Sequence, residues 1–151
     1  MPTPDYPVYQ RGENFNLFGG DGATPTEVFS LICIATTLSL DEAIDTDDSL
    51  VIDCANPQNL AVRQSVAKSQ TWDIAFSGKC DFARFTTLRT RFDGTERNYQ
   101  VQKFGTGAKG GGIYQGAAIL TSLKLDKNDN GMVSFSGALK GQRLLTYTAN
   151  A

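Results

Sequence analysis

The chain has 151 residues, 40% of them hydrophobic, a net charge of −2 and no histidine. That length serves one domain with a core of its own, and nothing in it approaches the 18-residue apolar run of a transmembrane helix. The missing histidine removes the commonest general base, the usual partner of a Ser or Cys nucleophile and the commonest zinc ligand, leaving only carboxylate or lysine chemistry open to an enzyme.

At the start, MPTPDYPVYQRGENF has neither the basic n-region nor the apolar h-region of a signal peptide, and residues 1–12 are expected to form an N-terminal arm. NFNLFGG (14–20) alternates as a short strand does. EVFSLICIATTLSL (27–40) is rich in β-branched and aromatic residues, lacks a 3.6 period, and predicts one long strand or two with a bulge. DEAIDTDDSLVIDCANPQNLAVRQSVAKSQ (41–70) carries six acids before residue 54 and no steady period; apart from SLVID it predicts a long excursion loop over 41–69. TWDIAFSG (71–78) alternates cleanly, with Trp72, Ile74 and Phe76 on one face and Asp73 and Ser77 on the other.

The period then changes. In DFARFTTLRTRFDG, Phe82, Phe85, Leu88 and Phe92 fall on one helical stripe, which predicts a helix over about 81–92 capped by Asp81 and ended by Gly94. TERNYQVQKF (95–104) returns to strand. GTGAKGGG contains GxGxxG at Gly105, Gly107 and Gly110, but more glycine and a strand follow instead of the helix that a phosphate site needs, so a hairpin loop is expected and no cofactor.

IYQGAAILTSLKL and MVSFSGALKG predict a hairpin. One face of its first strand holds Ile119, Leu123 and Leu125, the other Ala118, Ser122 and Lys124; in the second strand Ser134, Ser136 and Lys140 oppose Val133, Phe135 and Leu139. The turn between them, DKNDNG, matches the first half of a calcium loop at Asp126, Asn128, Asn130 and Gly131. Position twelve is Gly137, where a bidentate Glu is needed, and a strand follows in place of a helix, so the motif reads as a turn with no metal. RLLTYT (143–148) supplies the last strand.

Cys33, Cys54 and Cys80 are odd in number and fit no CxxC pattern, as expected of free thiols in a reducing cytoplasm. The net charge hides a polarity: residues 1–60 hold ten acids and one base (−9), residues 61–151 six acids and thirteen bases (+7). The halves either fold against each other or present opposite charges on opposite ends, which would drive head-to-tail self-association.

The stretches EVFSLICIATTLSL, IDCAN, TWDIAFSGKCD and YQGAAILTSLKL with VSFSGALKGQ, in that order over residues 12–148, resemble the major tail tube protein of long-tailed bacteriophages. Where that family has a glycine after the SGALKG segment, this chain has Arg143. The resemblance implies a single, mainly β domain: an antiparallel β-sandwich or half-barrel with one flanking helix. It implies rings, six copies each, stacked into a tube in the virion tail and assembled in the host cytoplasm. It also implies a tape-measure protein inside the tube, tail terminator and distal tail or baseplate proteins at its ends, and DNA passing through without specific binding. No membrane, catalytic residue or cofactor is implied.

Under that resemblance the excursion reaches a neighbouring ring through Asp41, Glu42, Asp45, Asp47, Asp48, Asp53, Arg63 and Lys68, ordering only on contact. The lumen would be lined by Asp73, Ser77, Ser122, Lys124, Ser134 and Ser136, small and mostly neutral. Lys124, the misfit, is expected near a rim or paired with an acid of a neighbouring subunit. The main rival is a related virion part: a tail terminator, a completion protein or a capsid decoration protein. A nucleic-acid-binding module is disfavoured by the acidic balance and by the lack of exposed aromatics among the arginines of 84–97. A hydrolase using two of Asp45, Asp47, Asp48 and Asp53 is disfavoured because an acidic loop is more often a solvated or partner-facing charge run.

Overall fold

The computed structural model describes residues 2–32, 35–127 and 131–151. In chain order it has a 3-10 turn at Gly12–Asn14, then β1 (Phe15–Gly20), β2 (Phe29–Leu31), β3 (Thr37–Val51), β4 (Val62–Lys79), α1 (Phe82–Arg89), β5 (Arg97–Lys103), a second 3-10 turn at Gly107–Lys109, β6 (Gly112–Asp126), β7 (Ser134–Gly141) and β8 (Thr146–Ala149). Every strand belongs to one sheet, ordered β2-β1-β5-β6-β7-β4-β3, and every pairing is antiparallel. β8 pairs with Gly112–Gln115 of β6, taking up the same edge that β7 leaves at Ala118. The sheet curls until β1 approaches β3 without closing. Of the two architectures expected, this is the half-barrel.

The inner face holds the core: Leu17, Trp72, Ile74, Phe76, Tyr99, Val101, Ala118, Leu120, Phe135 and Leu139, with Leu88 packed on from the helix. Alternation in β4 puts Trp72, Ile74 and Phe76 there as expected. Phe135 is the hub of an aromatic group, its ring centroid 6.1 Å from Phe76 and 6.0 Å from Phe85 of α1.

Trp72 joins the two ends of the β6–β7–β8 edge. Its indole Nε1 donates to the carbonyl of Arg143 at 2.6 Å, and the ring lies over Gly116 of β6 and Gly141 of β7. A Cβ at Gly116 would come within 2.6 Å of the ring, and one at Gly141 would collide with the ring and with the Trp72 carbonyl. Glycine is needed at both because the space is already full.

Five expectations are corrected. The run 27–40 is two strands with different partners: β2 pairs with β1 and β3 with β4, on opposite ends of the sheet order; Cys33 and Ile34 between them lie outside the described residues. The segment 41–69 is no irregular loop. It is a β-hairpin, the outer part of β3 and β4, with only 52–61 left as its turn. Its period was hidden because both faces are exposed, so nothing selects for alternation.

The helix ends at Arg89, short of Gly94, and only Leu88 is buried, with Phe85 half-buried. Phe82 is 66% exposed and Phe92 also faces outward, with the Arg89 guanidinium 5.3 Å over its ring, so an exposed aromatic does stand among the arginines of 84–97, contrary to expectation. Asp81 does cap it, accepting from the Ala83 amide at 3.1 Å. Lastly, in β6 Ala118 is buried and Ile119 is on the opposite face, the reverse of the expectation, whereas Leu123 and Leu125 lie on the core face as expected. The reason is a β-bulge: Leu120 pairs with Leu139 and Ser122 with Ala138, so Thr121 is an extra residue and the alternation changes phase there.

Replacing Gly116 with Val should displace the Trp72 ring and destabilise the chain by roughly 1–3 kcal/mol, whereas Gly12→Ala, with nothing near its Cβ position, should leave stability unchanged. Urea melts of the two variants decide it: equal midpoints would mean that the ring does not hold this joint.

Candidate assembly surfaces

Two surfaces stand out. The first is the hairpin. β4 pairs with β7 only as far as Asp73 opposite Lys140; beyond that, β3 and β4 pair with each other alone. Every residue from 41 to 71 is exposed. The ten residues from Glu42 to Val51 give an arm about 33 Å long at ~3.3 Å per residue. An isolated two-stranded hairpin is marginal in water, and this one also displays apolar side chains towards its tip: Leu50 is 74% and Leu60 91% exposed, with Val51, Ile52 and Val62 beside them.

The eight residues expected to make contacts all lie on this hairpin. Asp41 sits at its root opposite Asp73, and Glu42 opposite Trp72. Asp48 accepts from the Ser65 and Thr46 hydroxyls, and Asp53 accepts from the Ala55 and Asn56 amides at 3.0 and 3.3 Å, shaping the tip. Arg63 lies opposite Leu50, and Lys68 is the extra residue of a bulge between Asp45/Ser69 and Thr46/Ala67. Among the described residues, no ion pair joins either base to an acid. Asp45 and Asp47, two apart on the edge strand, take part in no side-chain hydrogen bond or ion pair among the described residues.

The second surface is the outer face of the sheet. Cross-strand register gathers the six residues expected to line a lumen onto this one face. Thr37, Ser77, Ser136 and Lys124 form one row across β3, β4, β7 and β6; Ser39, Ala75, Ala138 and Ser122 form the next; Asp41, Asp73, Lys140 and the apolar Ile119 a third; and Lys79, Ser134 and Asp126 a fourth. Lys124 pairs with Asp126 of its own chain at 3.7 Å, so a neighbouring acid is not needed to balance it. Asp41 and Asp73 face each other as like charges, a pairing that costs stability, with Lys140 directly beyond Asp73.

Sequence reading missed the continuation of this face over β6, β5 and β1. Gln100 Nε2 donates to Gln115 Oε1 at 3.0 Å and Gln102 Nε2 to Gln100 Oε1 at 2.8 Å, a neutral amide ladder next to Asn16. The alternation of Gln100 and Gln102 about Val101 was the available signal.

The motif candidates resolve by position. GxGxxG is the β5–β6 turn, where Gly105 and Gly110 adopt positive φ (122° and 86°), and no helix follows. Asn128 and Asn130 of the calcium-like turn lie outside the described residues, but Gly137, its twelfth position, is buried in mid-β7. Among the described residues, no group of three or more acids or cysteines is placed to hold a metal. Two carboxylates are shifted down where they fix turns: Asp21 by the Ala23 and Val28 amides, and Asp93, to about 2, first by the Thr95 hydroxyl and amide and then by Arg97, which anchors the turn into β5.

No protein-family model and no curated protein matches this chain. Solved structures share its fold. A chain in the tail of an empty gene transfer agent particle, refined with C6 symmetry, superimposes with a TM-score of 0.71 at 20% identity over 93% of this chain and all of its own length. A chain of the native gene transfer agent virion gives 0.70 at 19% identity, with the same coverage. The SPP1 tail tube gives 0.65 at 11% identity, over 93% of this chain and 79% of that one.

Because no residue of the arm is buried, excising 46–68 and joining Asp45 to Ser69 through an Asn-Gly turn should leave the body intact. The melting temperature of the monomer should move by no more than about 2 °C. A large loss would show that the arm supports the core after all.

Proposed function

We propose that this chain is the structural subunit of a phage-type tail tube: copies assemble into rings, six to a ring, and the rings stack into a conduit for DNA. The observation that carries this reading is an open sheet with a largely polar outer face, on which three acids balance three lysines, and a long hairpin that its own chain leaves uncovered. Exposed strand edges invite pairing with other chains, and a face of Ser, Gln and Thr suits a water-filled wall better than a packed core. The C6 tail and the SPP1 tube, which share the fold, support the choice of assembly.

In this reading the rows of Ser77, Ser136, Ser122 and Ser134, with Asp73 and the Lys124–Asp126 pair, face the lumen. DNA slides best along a wall that does not grip phosphate, and on this face Lys79, Lys124 and Lys140 are matched in number by Asp41, Asp73 and Asp126. The arm, with Asp41 to Asp53 and Arg63 and Lys68, contacts a neighbouring ring. A tape-measure protein would occupy the tube during assembly, with terminator and baseplate-type proteins at the two ends. The role is structural, in the virion tail, and involves no catalysis.

Negative-stain microscopy of the concentrated protein tests the proposal: long tubes of uniform bore are expected, and closed single rings or trimers would point to a terminator or a capsid decoration protein instead. Polymerisation should slow as salt rises, since ion pairs worth about 0–1 kcal/mol each repeat around every ring and are screened beyond about 10 Å at 0.1 M. A rate that is flat or rises with salt would place the driving force in apolar burial alone. Limited proteolysis of the free chain should cut within 52–61, and the same bonds should be protected in tubes; equal cleavage in both states would remove the arm from the contact.

A further inference from the structure

A cavity of about 170 Å³ opens between β2 and α1, lined by Ser30, Leu31, Ile32, Arg84, Thr87, Leu88 and Arg91. Arg91 is held in an unusual way. Its guanidinium lies against Gly19, where any Cβ would come within 2.9 Å of it, and 5.4 Å above the buried ring of Tyr99. Among the described residues its Nη1 is sealed from solvent with no hydrogen-bond acceptor and forms no ion pair. Asp21 is near enough to feel its charge, but one oxygen of that carboxylate already accepts from the Ala23 and Val28 amides; a partly desolvated guanidinium with an unused N–H is costly. Arg84 stands at the same cavity, tied at 2.6 Å to Asp81 and still largely exposed, and the hydroxyl-bearing Ser30 and Thr87 complete a polar lining.

We propose that this cavity is a carboxylate socket, filled in the assembly by Asp45 and Asp47 from the hairpin of a second copy. The inference rests on the tube reading and names one of its contacts. Three observations select the occupant. Asp45 and Asp47 are side chains of one face of an edge strand, about 7 Å apart by strand geometry, and have no side-chain partner among the described residues. The hairpin is built by β3 and β4 and the socket by β2 and α1, so each copy carries one plug and one socket on different patches, and the contact is heterologous and can repeat from copy to copy. The charges match: the hairpin holds six acids and two bases over 41–69, while the cavity holds two arginines whose planar forks suit carboxylate oxygens. The socket opens on the helix-covered side, away from the polar face, so it leaves the proposed lumen untouched.

Charge reversal tests it on the full chain. Arg84→Glu with Arg91→Glu should raise the critical concentration for tube formation by about thirtyfold or more, as should Asp45→Arg with Asp47→Arg. The four changes in one chain, or the two variants mixed, should restore polymerisation. Circular-dichroism melts of each monomer exclude misfolding, and Arg84→Glu alone, at an exposed side chain, should still weaken assembly if Arg91 proves indispensable to the fold. If the wild type forms tubes and the arginine variants form them equally well, the socket is refuted while the tube reading stands. If the single reversals each block assembly but the combination does not rescue it, the pairing of these partners is refuted. If arginine reversal weakens binding of a single-stranded oligonucleotide and leaves assembly alone, the cavity serves phosphate and the carboxylate assignment falls. A wild-type chain that never polymerises overturns both.

Discussion

The indole of Trp72 decides where this domain stops and its arm begins. It is the last side chain of β4, counting outward from the body, that is buried. Its ring presses on Gly116 and Gly141, and its nitrogen holds the Arg143 carbonyl. That hydrogen bond stitches the gap between β7 and β8, two strands that share one edge of β6. Inward from the ring, β4 is paired on both sides and packed beneath; outward, it has β3 alone. A buried tryptophan with its N–H satisfied is a rigid anchor, and one is needed where an unsupported lever meets a small core.

A single sheet covering a core on one side must answer what its other side does. Here the reply is mostly small and polar: serines, glutamines and alanines, with three lysines matched in number by three aspartates, of which Lys124 and Asp126 form an ion pair. Such a face neither collapses onto another sheet nor attracts polyanions strongly. The cationic side chains of the second half lie largely elsewhere, four of them arginines between 84 and 97, on the helix, just after it and at the start of β5. The opposite charges of the two halves are therefore separated in space as well as in sequence: the hairpin carries the acids outward, while the helix carries arginines on the body.

Where burial imposes a period, the chain could be read directly. The alternation of Trp72, Ile74 and Phe76, the Phe135 and Leu139 face of β7, and the Asp81 cap follow from residues whose neighbours are fixed by packing. Where burial is absent, the signal is absent too. The hairpin looked like an acidic loop because a strand exposed on both faces has no reason to alternate. α1 looked longer and more amphipathic than it is, since Phe82 and Phe92 fit a stripe that the sheet does not reach. The arginine cavity was not legible at all. It is assembled from β2, α1 and the residue after the helix, and nothing local to Arg91 marks it as lacking a partner.

The extra residue at Thr121 bears on how such chains are compared. Before it, even-numbered residues of β6 face inward; after it, odd-numbered ones do. A bulge is thus a phase shift, tolerated because the backbone absorbs one residue while every downstream side chain keeps its proper side. Two chains that place such shifts at different positions would superimpose in space while their apolar patterns ran out of step. Geometry would then preserve a kinship that letter-by-letter comparison erases. For sheets of this kind, descent is better traced by counting faces than by matching residues.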